Sequence, residues 1–177
     1  MSAYAHARSL PRVLHWLRRL QSSRGKLGFG VWACAIEAAH AAGDAEAADA
    51  LFAEADAAGA MAVLYRRMRW YKSREGGRIM RDVASVSRRA QNTALDVCAC
   101  GSGVARAAVC AEAAMLSAGT ARARYRYRYV YVSGRTPHQQ ALAAMVAECA
   151  ESAGLQAVAV THVPGLLVLK RPSPPAE

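Results

Sequence analysis

The chain has 177 residues, the size of one ordinary domain or of two small modules. Apolar residues make up 54% of it and charged residues 20%, which excludes a wholly disordered chain, and no apolar run reaches the ~18 to 20 residues that cross a bilayer. The formal net charge of +10 favours a polyanionic partner, and RNA, DNA or an anionic membrane surface would each fit it.

The N-terminal segment, residues 1–28, is basic and apolar. Val13, Leu14, Trp16, Leu17 and Leu20 follow helical spacing after Pro11, which predicts a helix. Residues 1–36 contain no acidic side chain, a composition typical of organellar transit peptides. This segment is therefore either a targeting segment or a basic surface helix.

Residues 29–75 are predicted to form a tight helical hairpin followed by a basic extension. Alanine-rich helical faces stand on both sides of the break at Gly43-Asp44. Asp44 can cap the second helix, and Gly59 can end it in the left-handed conformation. Beyond it, Leu64–Ala90 is arginine-rich and without clear periodicity. We interpret Gly76-Gly77 as a loop at a module boundary and residues 76–92 as a linker.

Residues 93–172 carry the pattern strand, helix, strand, helix, strand, strand, and residues 173–177 form a tail. The strands are "ALDVCA", "YRYVYV", "QAVAVTHV" and "GLLVLK", the last two joined by a Pro164-Gly165 turn. The predicted fold class is α+β: an N-terminal helical hairpin followed by a βαβαββ sandwich with helices packed on a mixed sheet.

The stretch "RARYRYRYVYVSGR", Arg122–Arg135, alternates arginine with tyrosine. On a strand the arginines share one face and the tyrosines the other. We expect the chain to be buried in the sheet from about Tyr129 onward, with the first half projecting as a basic, aromatic arm. A half-solvated strand, or an arm that binds an acidic protein groove, are the alternatives.

Such an arm suits RNA, because arginine pairs with phosphate and tyrosine stacks on unpaired bases. The predicted nucleic-acid contacts are Arg66, Arg67, Arg69, Arg122, Arg124, Tyr125, Arg126, Tyr127, Arg128 and Arg135.

Trp32 stands near the start of the first hairpin helix, "AGD" at the turn, and "AADALFAEADAAG" in the second helix. Over about 33 residues, from Phe29 to Met61, this pattern resembles a pentatricopeptide repeat. The resemblance implies an RNA-binding helical unit. Ala33 stands where the family often has a small polar residue that reads a base, so sequence-specific readout is not expected.

From about Leu95 to Lys170, "LDVCACGSGVARAAVCAEAAML", "VYVSGRTPHQQALAAMVAECAESAGL" and "GLLVLK" are similar to successive motifs of the Smr domain. That family includes nicking nucleases and RNases and often follows such repeats in organellar proteins. The resemblance implies Asp96 and His138 as catalytic residues. Cys98 and Ala99 replace the histidine and glycine of the family's "LDLHG", so nuclease activity is not expected. Asp96 as a strand-end cap and His138 as a helix-start residue are the alternatives.

The five cysteines lack paired CxxC spacing, and we expect them to be reduced. Cys98 and Cys100 would share one face of a strand, where small apolar fillers are favoured over metal ligands. No metal and no cofactor are predicted.

The leading hypothesis is an RNA-binding protein of the pentatricopeptide repeat/Smr type, located in a mitochondrion or plastid and without nuclease activity. The alternatives are a structural subunit of a large complex such as an organellar ribosome, whose proteins would then be partners, and an active Smr-type endonuclease.

Overall fold

The computed structural model describes residues 9–72, 78–83, 93–118, 127–133, 136–161 and 163–172. The fold is α+β, as predicted. The elements, in chain order, are α1 Leu10–Arg24, α2 Phe29–Ala41, α3 Ala45–Ala57, a 3-10 helix Ala60–Leu64, β1 Tyr65–Lys72, β2 Arg78–Val83, β3 Thr93–Asp96, α4 Ser102–Ser117, β4 Tyr127–Tyr131, α5 Pro137–Ser152, β5 Gln156–Ala159 and β6 Leu166–Lys170.

The chain divides into two compact units. The first consists of the described residues up to Val63 together with Cys100–Ala108, and the second consists of Leu64–Ala99 and the described residues from Val109 onward. Residues 100–108, which include the start of α4, therefore belong to the first unit, and the rest of α4 belongs to the second.

The first unit is built from α1, α2 and α3, of which α2 and α3 form the predicted helical hairpin. Asp44 caps α3, because its carboxylate accepts the Ala47 N–H at 2.9 Å, and Gly59 ends the turn beyond α3 with φ +78°. Both predictions are confirmed. The core contains large side chains spaced by alanines, which allow the helices to pack closely: Val13, Leu17, Trp32, Ala35, Ile36, Ala39, Ala48, Leu51, Phe52 and Ala55.

The second unit is a mixed sheet with the strand order β2-β1-β3-β4-β6-β5. β3 and β4 are parallel and the other described pairs are antiparallel. From β3 onward the elements follow the predicted βαβαββ order. The parallel pair brings the carboxyl ends of β3 and β4 side by side, with Asp96 opposite Tyr131.

Both faces of the central strands are covered. Val130 in β4 and Val132 just after it are buried, as are Leu95 and Leu169. Because alternate side chains point to opposite faces, Tyr129 and Tyr131 lie on the other side, packed against Ala94, Val163 and Leu166. Val130 and Val132 agree with the expectation that the chain is buried from about Tyr129 onward. Tyr127 and Arg128, which were expected in the projecting arm, instead pair with β6.

The sequence analysis missed two strands. β1 and β2 lie in the arginine-rich stretch interpreted as irregular, where they pair antiparallel from Arg67 opposite Val83 to Lys72 opposite Arg78. β1 also pairs with β3, which joins it to the predicted sheet. Backbone hydrogen bonds to a neighbouring strand stabilise such an element without any apolar periodicity, so the sequence pattern gave no sign of it. Gly76-Gly77 lies outside the described residues.

Within the described ranges, no helix combines the length and the apolar character that crossing a bilayer requires.

Candidate nucleic-acid interface and the Asp96 site

Asp96 ends β3 and is held by two hydrogen bonds. Its Oδ1 accepts the Cys98 N–H at 3.0 Å, and its Oδ2 accepts the Arg66 Nε–H at 2.8 Å in a salt bridge. The Asp96 side chain is only 11% exposed. A carboxylate with both oxygens occupied is a poor general base, because proton transfer requires an accessible lone pair within hydrogen-bond reach of the substrate. The geometry matches the alternative interpretation of Asp96 as a strand-end cap.

The salt bridge between Arg66 and Asp96 also bears on the prediction that Arg66 contacts nucleic acid. The sequence analysis predicted a nucleic-acid contact at this residue, and its guanidinium is half-exposed but bonded to Asp96. A phosphate that contacts Arg66 would share its guanidinium with Asp96. The position of β1 beside β3, with Arg66 opposite Ala94, brings the two side chains together.

Cys98 follows Asp96 in the turn and stands where the resemblance expects a histidine. Its Sγ atom lies 3.5 Å from the Tyr131 carbonyl oxygen, and the thiol donates a hydrogen bond to that oxygen. Burial raises the pKa of the thiol from 9.0 to about 12, and the neighbouring Asp96 carboxylate adds to this rise. At neutral pH Cys98 is therefore a protonated thiol and a weak nucleophile.

The expectation that Cys98 and Cys100 lie on one face of a strand is wrong, because β3 ends at Asp96 and both cysteines follow it in the turn. In the part of the chain that the structure describes, no cluster of three or more histidine, cysteine or acidic side chains could hold a metal ion.

The N-terminus of α4 is occupied by a carboxylate of the first unit. Glu37 on α2 accepts the Gly103 N–H at 3.1 Å and the Val104 N–H at 2.8 Å. A Cβ at Gly101 would overlap the Glu37 carboxylate, and a Cβ at Gly103 would lie 2.7 Å from His40 Cβ. Helix N-termini of this kind attract phosphate, but here the protein supplies its own anion. Sequence reasoning missed Glu37, whose only signal was a lone acid in an alanine-rich helix.

The exposed face of α1 carries a group of basic and aromatic side chains, which we call the α1 stripe: Arg12, His15, Trp16 and Arg19. Trp16 is 38% exposed, Arg19 Cζ lies 5.2 Å from the centre of its ring, and His15 packs edge-on at 5.8 Å. The predicted helix is confirmed, with Val13 and Leu17 fully buried and Trp16 exposed.

Arg18, on the same helix, behaves differently. Its Nη1 lies 2.6 Å from Glu54 Oε1 on α3, and Gln21 donates to the same oxygen at 2.8 Å. The hydrogen bond from Arg18 holds the pKa of the Glu54 carboxyl below its ordinary value. Arg18 therefore ties α1 to α3, whereas Arg19, one residue later, points to solvent beside Trp16.

The remaining predicted residues are placed as follows. His138 lies exposed in the first turn of α5, which a capping box of Thr136 and Gln139 begins. For Arg67 and Arg69 in β1, and Tyr127 and Arg128 in β4, the structure gives the backbone pairing. The others lie outside the described residues: Arg122, Arg124, Tyr125, Arg126 and Arg135.

No protein-family model matches the chain, and no curated protein or solved structure matches it either. The resemblances to the pentatricopeptide repeat and to the Smr domain therefore stay predictions.

Proposed function

We propose that the chain is an RNA-binding protein of the pentatricopeptide repeat/Smr type, located in a mitochondrion or plastid and without nuclease activity. The element order supports this proposal, because a helical hairpin is followed along the chain by a βαβαββ arrangement. The organellar location rests on the resemblance, because Smr domains often follow such repeats in organellar proteins.

The observation that carries the proposal is the α1 stripe in a chain of net charge +10. The exposed Trp16 indole beside the Arg19 guanidinium offers a stacking surface for an unpaired base and a cation for an adjoining phosphate. Stacking on an aromatic side chain contributes about 1 to 3 kcal/mol per base, with little preference for sequence. A single-stranded nucleic acid uses both components, and the resemblance to the pentatricopeptide repeat favours RNA.

The Asp96 site supports the proposed absence of nuclease activity. Asp96 is bonded to Arg66 and to the backbone of Cys98, and Cys98 is a protonated thiol at neutral pH. The first motif therefore lacks a free acid-base group at both positions where the resemblance implies one.

The test is the affinity of the purified chain for a fluorescently labelled, mixed-sequence single-stranded RNA, measured by anisotropy from 50 to 200 mM salt. Each phosphate neutralised contributes about −0.7 to the slope of log K against log salt on a single strand. We expect log K to fall linearly with log salt, with a slope that corresponds to several neutralised phosphates. No binding at the lowest salt concentration would refute RNA binding.

Two arginines on α1 provide a matched comparison. Arg19→Gln removes a cation of the α1 stripe and should lower the salt slope by about 0.7, whereas Arg18→Gln removes a cation bonded to Glu54 and should leave it nearly unchanged. Trp16→Ala should weaken binding by roughly 5-fold or more through lost stacking. Equal effects of the two arginine substitutions would show that the stripe is not the contact.

The two alternative functions, a structural subunit and an active endonuclease, predict different results with the same protein and RNA. A structural subunit would co-purify with a defined assembly after nuclease treatment and would show no affinity for free RNA. An active endonuclease would shorten the labelled RNA during the titration.

A further inference from the structure

Two cysteine thiols and a thioether meet between two helices of the second unit. Cys110 lies on α4 and Cys149 on α5, and their Sγ atoms are 3.3 Å apart. Met145, one turn before Cys149, places its Sδ 3.7 Å from the Cys149 Sγ. We infer that Cys110 and Cys149 are a site of covalent modification, at which a small-molecule disulfide such as oxidised glutathione converts the pair into a reversible intramolecular disulfide. This inference does not depend on RNA binding.

The two sulfur atoms start close to bonding distance. A disulfide has an S–S distance of about 2.05 Å, so the sulfurs must approach by about 1.3 Å. Both cysteines are half-buried, which leaves a route for a small reagent. A hydrogen bond also holds α4 against α5, because the Ser117 Oγ at the end of α4 donates to the Ala153 carbonyl just beyond α5 at 2.6 Å.

The exchange takes place in two balanced steps. The thiolate of one cysteine attacks a sulfur of oxidised glutathione, which forms a protein–glutathione mixed disulfide and releases one glutathione thiolate. The second cysteine then attacks the protein sulfur of that mixed disulfide and displaces the second glutathione. The cysteine pair loses two electrons, oxidised glutathione gains them, and the two thiol protons end on the two glutathione products.

The other described cysteines are less suited to this reaction. The Cys98 thiol is kept protonated by burial and by Asp96, and the thiolate is the attacking species. Cys34 and Cys100 belong to the first unit, whereas Cys110 and Cys149 both belong to the second. The sequence gave no sign of the pair, because 39 positions separate its members and neither stands in a CxxC motif.

The experiment equilibrates the folded full-length chain in glutathione buffers of increasing oxidised fraction, then alkylates free thiols and maps peptides by mass spectrometry. Of the five thiols, three should remain, and one peptide pair should be joined through Cys110 and Cys149 with a mass about 2 Da lower. Closing this loop should raise the Tm by about 10 °C.

Cys110→Ser and Cys149→Ser should each abolish the joined peptide and leave glutathione on the remaining cysteine, whereas Cys98→Ser should still form it. The mapping on the unsubstituted chain decides the matter even if a variant fails to fold. The inference is overturned if all five thiols persist in a buffer that oxidises a reference dithiol. A disulfide between other cysteines, or a lasting glutathione adduct without an internal bridge, overturns it as well.

Discussion

Asp96 illustrates how a single residue fits two interpretations until its neighbours are known. Its place after an apolar strand suited both a catalytic carboxylate and a strand-end cap. In the fold its two oxygens accept from Cys98 N–H and from Arg66, which were both assigned other roles from sequence. The aspartate thus stabilises the turn after β3, and its salt bridge withdraws one of the predicted RNA-contacting arginines.

The raised pKa of Cys98 predicts a loss of stability at alkaline pH. Below about pH 9 the thiol is protonated in both states, so it does not affect the pH dependence. Between the unfolded value of 9.0 and the folded value of about 12, only the unfolded chain loses this proton, so the free energy of unfolding falls as pH rises.

Urea unfolding in reductant from pH 8 to 11 measures this effect, with Cys98→Ala as the comparison. Tyrosine and lysine titrations occur in both chains and cancel in the difference. The substituted chain should lose less stability over this range. Parallel curves for the two proteins would contradict the assigned pKa.

Gly165 is a position where only glycine fits. Its φ is +76°, and a Cβ there would overlap the backbone of Ser133, while its carbonyl accepts the Val132 N–H at 2.7 Å. Gly165→Ala should lower the free energy of unfolding by about 3 kcal/mol, because left-handed strain and the clash both contribute.

Gly154→Ala is the matched control, since Gly154 has φ +71° but nothing within 4 Å of the added Cβ. It should cost about 1 kcal/mol in the same urea titration. Similar losses at both glycines would mean that the approach to Ser133 is unimportant.

At the scale of the elements, the start of α4 depends on a residue far away in sequence. Glu37 on α2 satisfies the N–H groups of Gly103 and Val104, 66 and 67 positions later. A negative side chain at a helix N-terminus both accepts these hydrogen bonds and complements the helix dipole. The glycines around this turn make room for the carboxylate, so the "GSG" sequence serves an internal contact.

Replacing Glu37 should therefore lower the free energy of unfolding by an amount that depends on the new side chain. Glu37→Ala should cost about 1 to 2 kcal/mol, and Glu37→Gln less, because the amide oxygen still accepts a hydrogen bond. Glu148→Ala, on the exposed face of α5, should stay within about 0.5 kcal/mol. Chemical denaturation of the three variants gives the ranking. Equal stability of Glu37→Ala and Glu148→Ala would remove the capping role.

At the scale of the whole molecule, ion pairs within the chain reduce the number of cations that its net charge would offer to a polyanion. The chain carries +10 overall, while described arginines at positions 18, 66 and 106 are each bonded to a carboxylate. The exposed Arg18–Glu54 pair contributes only about 0 to 1 kcal/mol to stability, yet each of the three pairs reduces the charge that its arginine offers to a polyanionic partner. The long-range field of the excess charge remains and would speed the approach of RNA.

The whole chain should bind RNA without cutting it. Incubation of purified protein with labelled single-stranded RNA and with branched DNA, followed by denaturing electrophoresis, should leave both substrates at full length. The physical reason is the engagement of Asp96 and the protonated thiol at Cys98. Cleavage that disappears in Asp96→Asn would instead establish an active nuclease.

Most of the fold was predictable because its signals are local. Helical spacing, the cap at Asp44 and the left-handed Gly59 placed the hairpin, and apolar runs bounded by turns placed β3 to β6. β1 and β2 were missed because their partners, not their own pattern, stabilise them. Much of the candidate site was also missed, since Glu37 and the exposure of Trp16 depend on what packs nearby.

The sequence by itself determined the fold class, the order of the elements from β3 onward and the strongly basic character, because propensity, periodicity and charge are properties of neighbouring residues. Only the tertiary structure decided which charges are neutralised and which sulfurs meet. Arg66 with Asp96, and Cys110 with Cys149, are separated by tens of residues, and such contacts are fixed by strand pairing and helix packing. That is why the exposure of Trp16 in the α1 stripe and the cysteine pair emerged from the fold, not from any motif.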